Sequence, residues 1–267
     1  MVAKMQRFHI PNVGEGMMFK PGGSPYQYDD EERFPLGAYI RLGNKGFVYG
    51  HSAGITSLQY GSKPQAIIQP VGWSTVAASV AAGVTEITFD LGASAGPAGD
   101  GNIAVDYLKW GEACIMPAWG TGFTIMILGN TVITGDGGGV VTLTLASPIP
   151  TACTVDVAHI ECIPSPYRSL VSPANDPLTQ VVGMPTCVAV AGKYLWLQVE
   201  GPFGIAAAAD VGNSSDRLQA VFKGNGTIGP HDYNDAAEGY NQHAGTIMFP
   251  AQGGGQGTPF INLQIAH

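Results

Sequence analysis

Short β-rich runs, cut at close intervals by 38 glycines and 19 prolines, leave this 267-residue chain few ways to fold. Such punctuation gives brief strands joined by tight turns and leaves little room for a full amphipathic helix. An all-β fold follows, a β-sandwich or barrel-like architecture of many short strands with long Gly-rich loops. Only 12% of residues are charged, which leaves much weakly polar surface. Surface of that kind calls for a partner to cover it, so assembly is indicated ahead of catalysis.

Charge and cysteine narrow the function classes. The net charge is −8, with 12 Lys and Arg against 20 Asp and Glu. Phosphate-backbone binding needs clustered cations, so no nucleic-acid partner is expected. No cationic run suggests a membrane surface. Cys114, Cys153, Cys162 and Cys187 lack CxxC spacing and finger-spaced histidines, so buried thiols are the simpler reading than zinc. The first 18 residues carry no cationic-then-apolar leader. No apolar run approaches the roughly 20 residues of a membrane-spanning helix. The chain is expected to be made in the cytoplasm, or assembled into a particle there.

Along the chain, residues 1–35 read as an extended N-terminal arm, ending in the acidic run Asp29-Asp30-Glu31-Glu32. Ala38–Leu42 and Phe47–Tyr49 form a hairpin about Gly43-Asn44-Lys45-Gly46. Ile55–Tyr60 reads as a short helical turn. Strands are expected at Val76–Val80, Thr85–Leu91, Phe123–Leu128, Val140–Leu145 and Thr154–Cys162. The prolines 164, 166, 173 and 177 mark a boundary. It separates a β subdomain at 36–165 from a second at 166–267. The second holds Thr186–Val190, Lys193–Glu200, Gln219–Phe222 and Phe260–Ile265. In Lys193–Glu200, Tyr194, Trp196 and Gln198 share one face, with Leu195, Leu197 and Val199 on the other. Gly201-Pro202 reads as its stop, and 224–257 as a long loop.

Two catalytic motifs occur. Gly50-His51-Ser52-Ala53-Gly54 matches GxSxG, in which a serine on a strained strand-to-helix turn needs a His base, an acid and an oxyanion donor. Asp210 or Asp232, with His231 or His243, could complete it. The required helices are missing, so an esterase using Ser52 is a distant alternative. Gly224-Asn225-Gly226-Thr227-Ile228-Gly229 matches GxGxxG, but Pro230 follows where a helix should begin. His231, Asp232, Asp235, Glu238 and His243 fit no standard metal spacing, and Asp29–Glu32 lacks calcium-loop spacing. Trp73, Trp110, Trp119 and Trp196 could stack sugars, with core packing the default. No catalytic residue, cofactor or metal is expected.

Three blocks carry a resemblance. The first is Pro35-Leu36-Gly37-Ala38-Tyr39-Ile40-Arg41-Leu42-Gly43-Asn44-Lys45-Gly46-Phe47-Val48-Tyr49, continued by Ala53-Gly54 and Leu58 to Gly61. The second is Ala81-Ala82-Gly83-Val84-Thr85-Glu86-Ile87-Thr88-Phe89. The third, the most specific, is Tyr194-Leu195-Trp196-Leu197-Gln198-Val199-Glu200-Gly201-Pro202. Together they resemble the capsid decoration, or cement, proteins of tailed phages. The resemblance implies a virion structural protein on the outer surface of the phage head, often a homotrimer, that binds the major capsid protein and stabilises the shell. It implies no catalytic residues. Another virion component, such as a tail, spike or receptor-binding protein, is the alternative. The arm, roughly Met1–Arg33, is the expected capsid or neighbour contact.

Overall fold

The structure is a computed structural model that describes residues 24–65, 71–135, 137–172, 180–204, 218–231, 242–249 and 260–265. It is all-β, with no helix among the described residues. Two compact units divide it: residues 71–165 in one, and 24–65 together with 166–265 in the other.

The unit of residues 71–165 is a nearly closed six-stranded barrel. Its strands are β4 (Val71–Thr75), β5 (Glu86–Leu91), β6 (Glu112–Ala118), β7 (Thr121–Asn130), β8 (Gly139–Leu145) and β9 (His159–Ile163), in the antiparallel order β4-β9-β6-β7-β8-β5. The end strands meet where Val76 bridges Phe89 and the Ala77 amide donates to the Thr88 carbonyl at 2.9 Å. Closure removes the open edges that invite aggregation. Period-two alternation drives the arrangement: Ile87, Phe89, Leu91, Ile115, Ile127, Val141, Leu143, Leu145 and Ile160 all fill one interior. Each fully buried side chain of this kind contributes about 1.5–3 kcal/mol. The buried Asn130 holds the 104–110 loop against β7. Its Oδ1 accepts from the Leu108 amide at 2.7 Å, and its Nδ2 donates to the Ala104 and Thr131 carbonyls at 2.9 and 2.8 Å.

The second unit is a curved half-barrel sheet of ten strands. These are β1 (Tyr39–Leu42), β2 (Lys45–Gly54), β3 (Lys63–Pro64), β10 (Leu170–Val171), β11 (Met184–Pro185), β12 (Tyr194–Gly204), β13 (Gln219–Phe222), β14 (Ile228–Pro230), β15 (Gln242–Phe249) and β16 (Phe260–Gln264). The path runs β14-β13-β15-β16-β12-β2-β10-β3, with β1 on β2 and β11 on β12. The two long strands β2 and β12 pair antiparallel at its centre, Tyr194 opposite His51 and Gln198 opposite Phe47. On β12, Trp196 packs with Phe47 and Tyr49, while Leu195 and Leu197 pack with Ile55 and Leu170. The expected two faces are present, and both are buried.

Several local expectations change. Strands β2 and β3 and their flanks in residues 36–65, grouped with those up to 165 in the sequence, instead pair with segments beyond 166. Ile55–Tyr60 makes no helical turn, because Ile55 is held extended against Ala189 by two backbone hydrogen bonds of 2.8 and 3.1 Å. Gly201-Pro202 does not end β12, since β16 continues to pair with it through Gly204. Within 224–257, β14 and β15 pair with β13 on its two sides. Residues 1–23 of the expected arm lie outside the described residues.

Candidate functional site

Ser52 sits within β2 rather than on a strand-to-helix turn. It is fully buried; its Oγ donates to the Ala189 carbonyl at 2.8 Å and accepts from the Gly54 amide at 3.0 Å. The first knits β2 to the 187–192 turn, whose Gly192 amide also donates to the Ser52 carbonyl at 2.8 Å, and the second closes within β2 itself. His51 points to the opposite face of the strand. Its ring lies 4.8 Å from that of Tyr194, and burial foremost, with help from the Arg168 charge, lowers its pKa below the ordinary histidine value. Asp210 and Asp232 lie outside the described residues. The serine of the GxSxG match is thus a structural hydroxyl with its capacity engaged.

The GxGxxG match is a β-hairpin turn. The Gly226 amide donates to the Lys223 carbonyl at 2.7 Å and the Lys223 amide to the Thr227 carbonyl at 2.8 Å, after which the chain enters β14. Gly226 has φ of +76°, the left-handed conformation such a turn requires. Of the suspected metal ligands, Asp232, Asp235 and Glu238 are outside the described residues, and the His243 ring contacts Gln264 Oε1 at 3.3 Å. Among the described residues no group of three or more His, Cys, Asp or Glu is placed to hold a metal. The four cysteines are free thiols. Burial pushes Cys162 up to about 12 and Cys187 up to about 11, so neither is a thiolate at neutral pH.

The third sequence block is spent on architecture. The buried Gln198 donates its Nε2 to the Glu200 and Pro202 carbonyls, each at 3.0 Å, which caps acceptors where β12 has run past the end of β2. Gly201 has φ of +84°, and a Cβ there would lie 2.0 Å from the Asn44 carbonyl oxygen. Pro202 offers no amide to an incoming strand. Gln198, Gly201 and Pro202 therefore hold β12 where its pairing with β2 ends.

The described end of the arm packs onto its own sheet. Asp29 and Tyr194 exchange backbone hydrogen bonds of 2.7 and 3.0 Å. The Asp29 carboxylate is buried, accepts from the Tyr49 hydroxyl at 3.1 Å and pairs with Arg33 Nε at 2.9 Å. Burial is the main cause that raises its pKa, opposed by the Tyr49 bond and the Arg33 charge. Lys193 Nζ reaches Asp30 at 2.8 Å. Phe34 packs 5.3 Å from the Tyr49 ring and 5.2 Å from that of Trp196. Residues 24–34 are accordingly a strap in their own chain, and the acidic run is part of its fastening rather than a calcium loop.

Two surface features stand out among the described residues. The first is a mostly apolar groove of about 380 Å³ on the half-barrel unit, lined by Tyr26, Lys45, Leu58, Pro185 and Phe203, with the buried Gln198 among its lining residues. The second is Trp119, 85% exposed at the tip of the β6–β7 hairpin, its ring 6.3 Å from that of His159. Of the other tryptophans, Trp196 is fully buried and Trp110 lies beneath Lys109 Nζ at 5.1 Å. The sequence named Trp119 only as one of four aromatics; its setting in Ala118-Trp119-Gly120-Thr121, a turn composition, was the signal that separates it from the core. No family model, curated protein or solved structure matches the chain.

Proposed function

We propose that the chain is a virion structural protein of the capsid decoration type, which binds the major capsid protein on the outer face of a phage head and reinforces the shell. The observation that carries this reading is the convergence of the resemblance blocks. The first and third, about 150 residues apart in sequence, are the adjacent central strands β2 and β12. The second block runs into β5 of the barrel unit. The residues that carry the resemblance are therefore ones that build the sheets, in keeping with a protein whose work is mechanical. Its motif-like residues hold strands and turns in place, as Ser52, Gln198 and Gly201 do. Each copy would add stability by burying interface area, at about 25 cal/mol per Å² of apolar surface before the cost of association. Many weak contacts around a closed shell then sum to avidity.

Cryo-electron microscopy of purified particles carrying the chain tests this. Density at three-fold or quasi-three-fold positions of the head is the expected result. Density at a tail or vertex would favour a tail, spike or receptor-binding component, and absence from particles would end the virion reading.

A further inference from the structure

The groove on the half-barrel unit holds two polar groups that the described chain leaves unanswered. The first is the amide of Gln198. Its Nε2 donates to the Glu200 and Pro202 carbonyls at 3.0 Å each and lies 3.4 Å from the Gly201 carbonyl. Carbonyls accept only from the NH2 end, so the amide is fixed one way round, with Oε1 on the far side. Gln198 is 1% exposed. Yet its Oε1 takes no hydrogen bond from the described residues and is not among the unpartnered polar atoms sealed from solvent. The side chain lines the groove and thus presents its acceptor there.

The second is Lys45, half-buried at the start of β2. Lys193 and Arg33 have Asp30 and Asp29, but among the described residues no carboxylate pairs with Lys45. No carboxylate lines the groove either. An acceptor buried without a donor costs free energy, and an ammonium against apolar walls attracts an anion more strongly than one in open water. The other walls are the rings of Tyr26 and Phe203 and the aliphatic surface of Leu58 and Pro185. The volume of about 380 Å³ is at the lower end of ligand-sized clefts. We propose that this groove binds a small organic carboxylate with an aromatic body and a hydroxyl donor. Lys45 takes the carboxylate, Gln198 Oε1 accepts from the hydroxyl, and the rings of Tyr26 and Phe203 hold the body. The net charge of −8 disfavours anions elsewhere on the chain, so saturable binding of one reports a local site. The inference is independent of the virion reading.

The test uses 4-hydroxyphenylacetate, titrated into the full chain and followed by NMR. The expected result is saturation with a Kd at or below about 1 mM, which a ligand of about 11 non-hydrogen atoms reaches at modest efficiency. The neutral amide of the same acid should bind about 10-fold more weakly, having lost the charged contact. Phenylacetate, which lacks the hydroxyl, should bind about 5-fold more weakly. That comparison reads the Gln198 acceptor without altering a residue that also caps β12. Lys45→Met keeps the apolar stem and removes the charge, so it should bind acid and amide alike. Leu58→Glu, at a position 42% exposed, places a carboxylate in the groove and should abolish binding of the acid. Circular dichroism should remain native for both variants, because neither side chain is core. No saturation up to about 10 mM overturns the proposal. So does acid binding that survives Leu58→Glu, or wild-type chain that binds the amide or phenylacetate as tightly as the hydroxy acid.

Discussion

Replacing Ser52 with alanine separates a structural hydroxyl from a catalytic one. The substitution removes the bond donated to the Ala189 carbonyl and the bond accepted from the Gly54 amide. The carbonyl keeps a second donor, the Ile55 amide at 2.8 Å, so its loss is partial. The Gly54 amide loses its acceptor but lies at a half-buried position, where water can compensate in part. Two neutral hydrogen bonds, one leaving a partly unsatisfied group, are together worth about 2 kcal/mol. With a urea m-value of about 2 kcal/mol/M for a unit of this size, the unfolding midpoint of the half-barrel should fall by about 1 M. Hydrogen exchange of the β2 and β12 amides during the titration assigns the shift to that unit rather than to the barrel. A nucleophile behaves otherwise: its removal leaves stability unchanged or improved, since active sites are held at a cost in stability. An unchanged midpoint together with fluorophosphonate labelling of wild-type Ser52 would refute the structural account.

Gly201→Ala should destabilise the half-barrel by about 3 kcal/mol or more, read as a lower urea midpoint, because the left-handed backbone costs about 1–2 kcal/mol and the Cβ also strikes a fixed carbonyl. Asn130→Ala should cost the barrel unit about 2–4 kcal/mol by stripping the Leu108 amide and the Ala104 and Thr131 carbonyls of a buried partner, seen as early exchange of the 104–110 amides. Asp29→Asn should change the pH dependence of stability. A carboxyl whose folded pKa is raised takes up a proton on folding, so its favourable contribution is complete below 3.8 and is lost as pH rises through the folded value. The midpoint of wild type relative to the asparagine variant should therefore fall as pH rises from below 3.8 to neutrality; a difference that rises with pH would show the reverse shift.

Where local pattern sufficed, the sequence was readable. The β1–β2 hairpin announces itself through Gly43-Asn44, and the alternation in Thr85–Leu91 marks β5. Other elements had no local signature. The strands β3, β10 and β11 are two residues each, too short for any period. The apolar pattern of β15 is broken at Gly245, where the register against β13 shifts between Ala220 and Val221, so Ala244 and Ile247 are buried out of step. A bulge of this kind defeats a period-two reading while leaving the strand intact. The division into units depends on pairings such as Ser62 with Gly183, more than 100 residues apart. The proline cluster near 164 marked one crossing between units. The other, flanked by Pro64 and Pro70, carries too sparse a signal to stand out in a chain with 19 prolines.

The two misleading motifs share a physical origin. A chain that turns often needs small residues and left-handed positions at short intervals, and the same residues spell catalytic patterns. Gly226 is in GxGxxG because a hairpin requires its φ of +76°. Ser52 is in GxSxG because a small hydroxyl can bond a neighbouring carbonyl inside a packed sheet. Glycine spacing in such a protein therefore reports turn geometry first, and chemistry only if the hydroxyls and carboxylates between the glycines remain unengaged. Here Ser52 is engaged with Ala189 and Gly54, Asp29 with Tyr49 and Arg33, and Asp30 with Lys193. Trp119 is 85% exposed in the two-residue turn between β6 and β7.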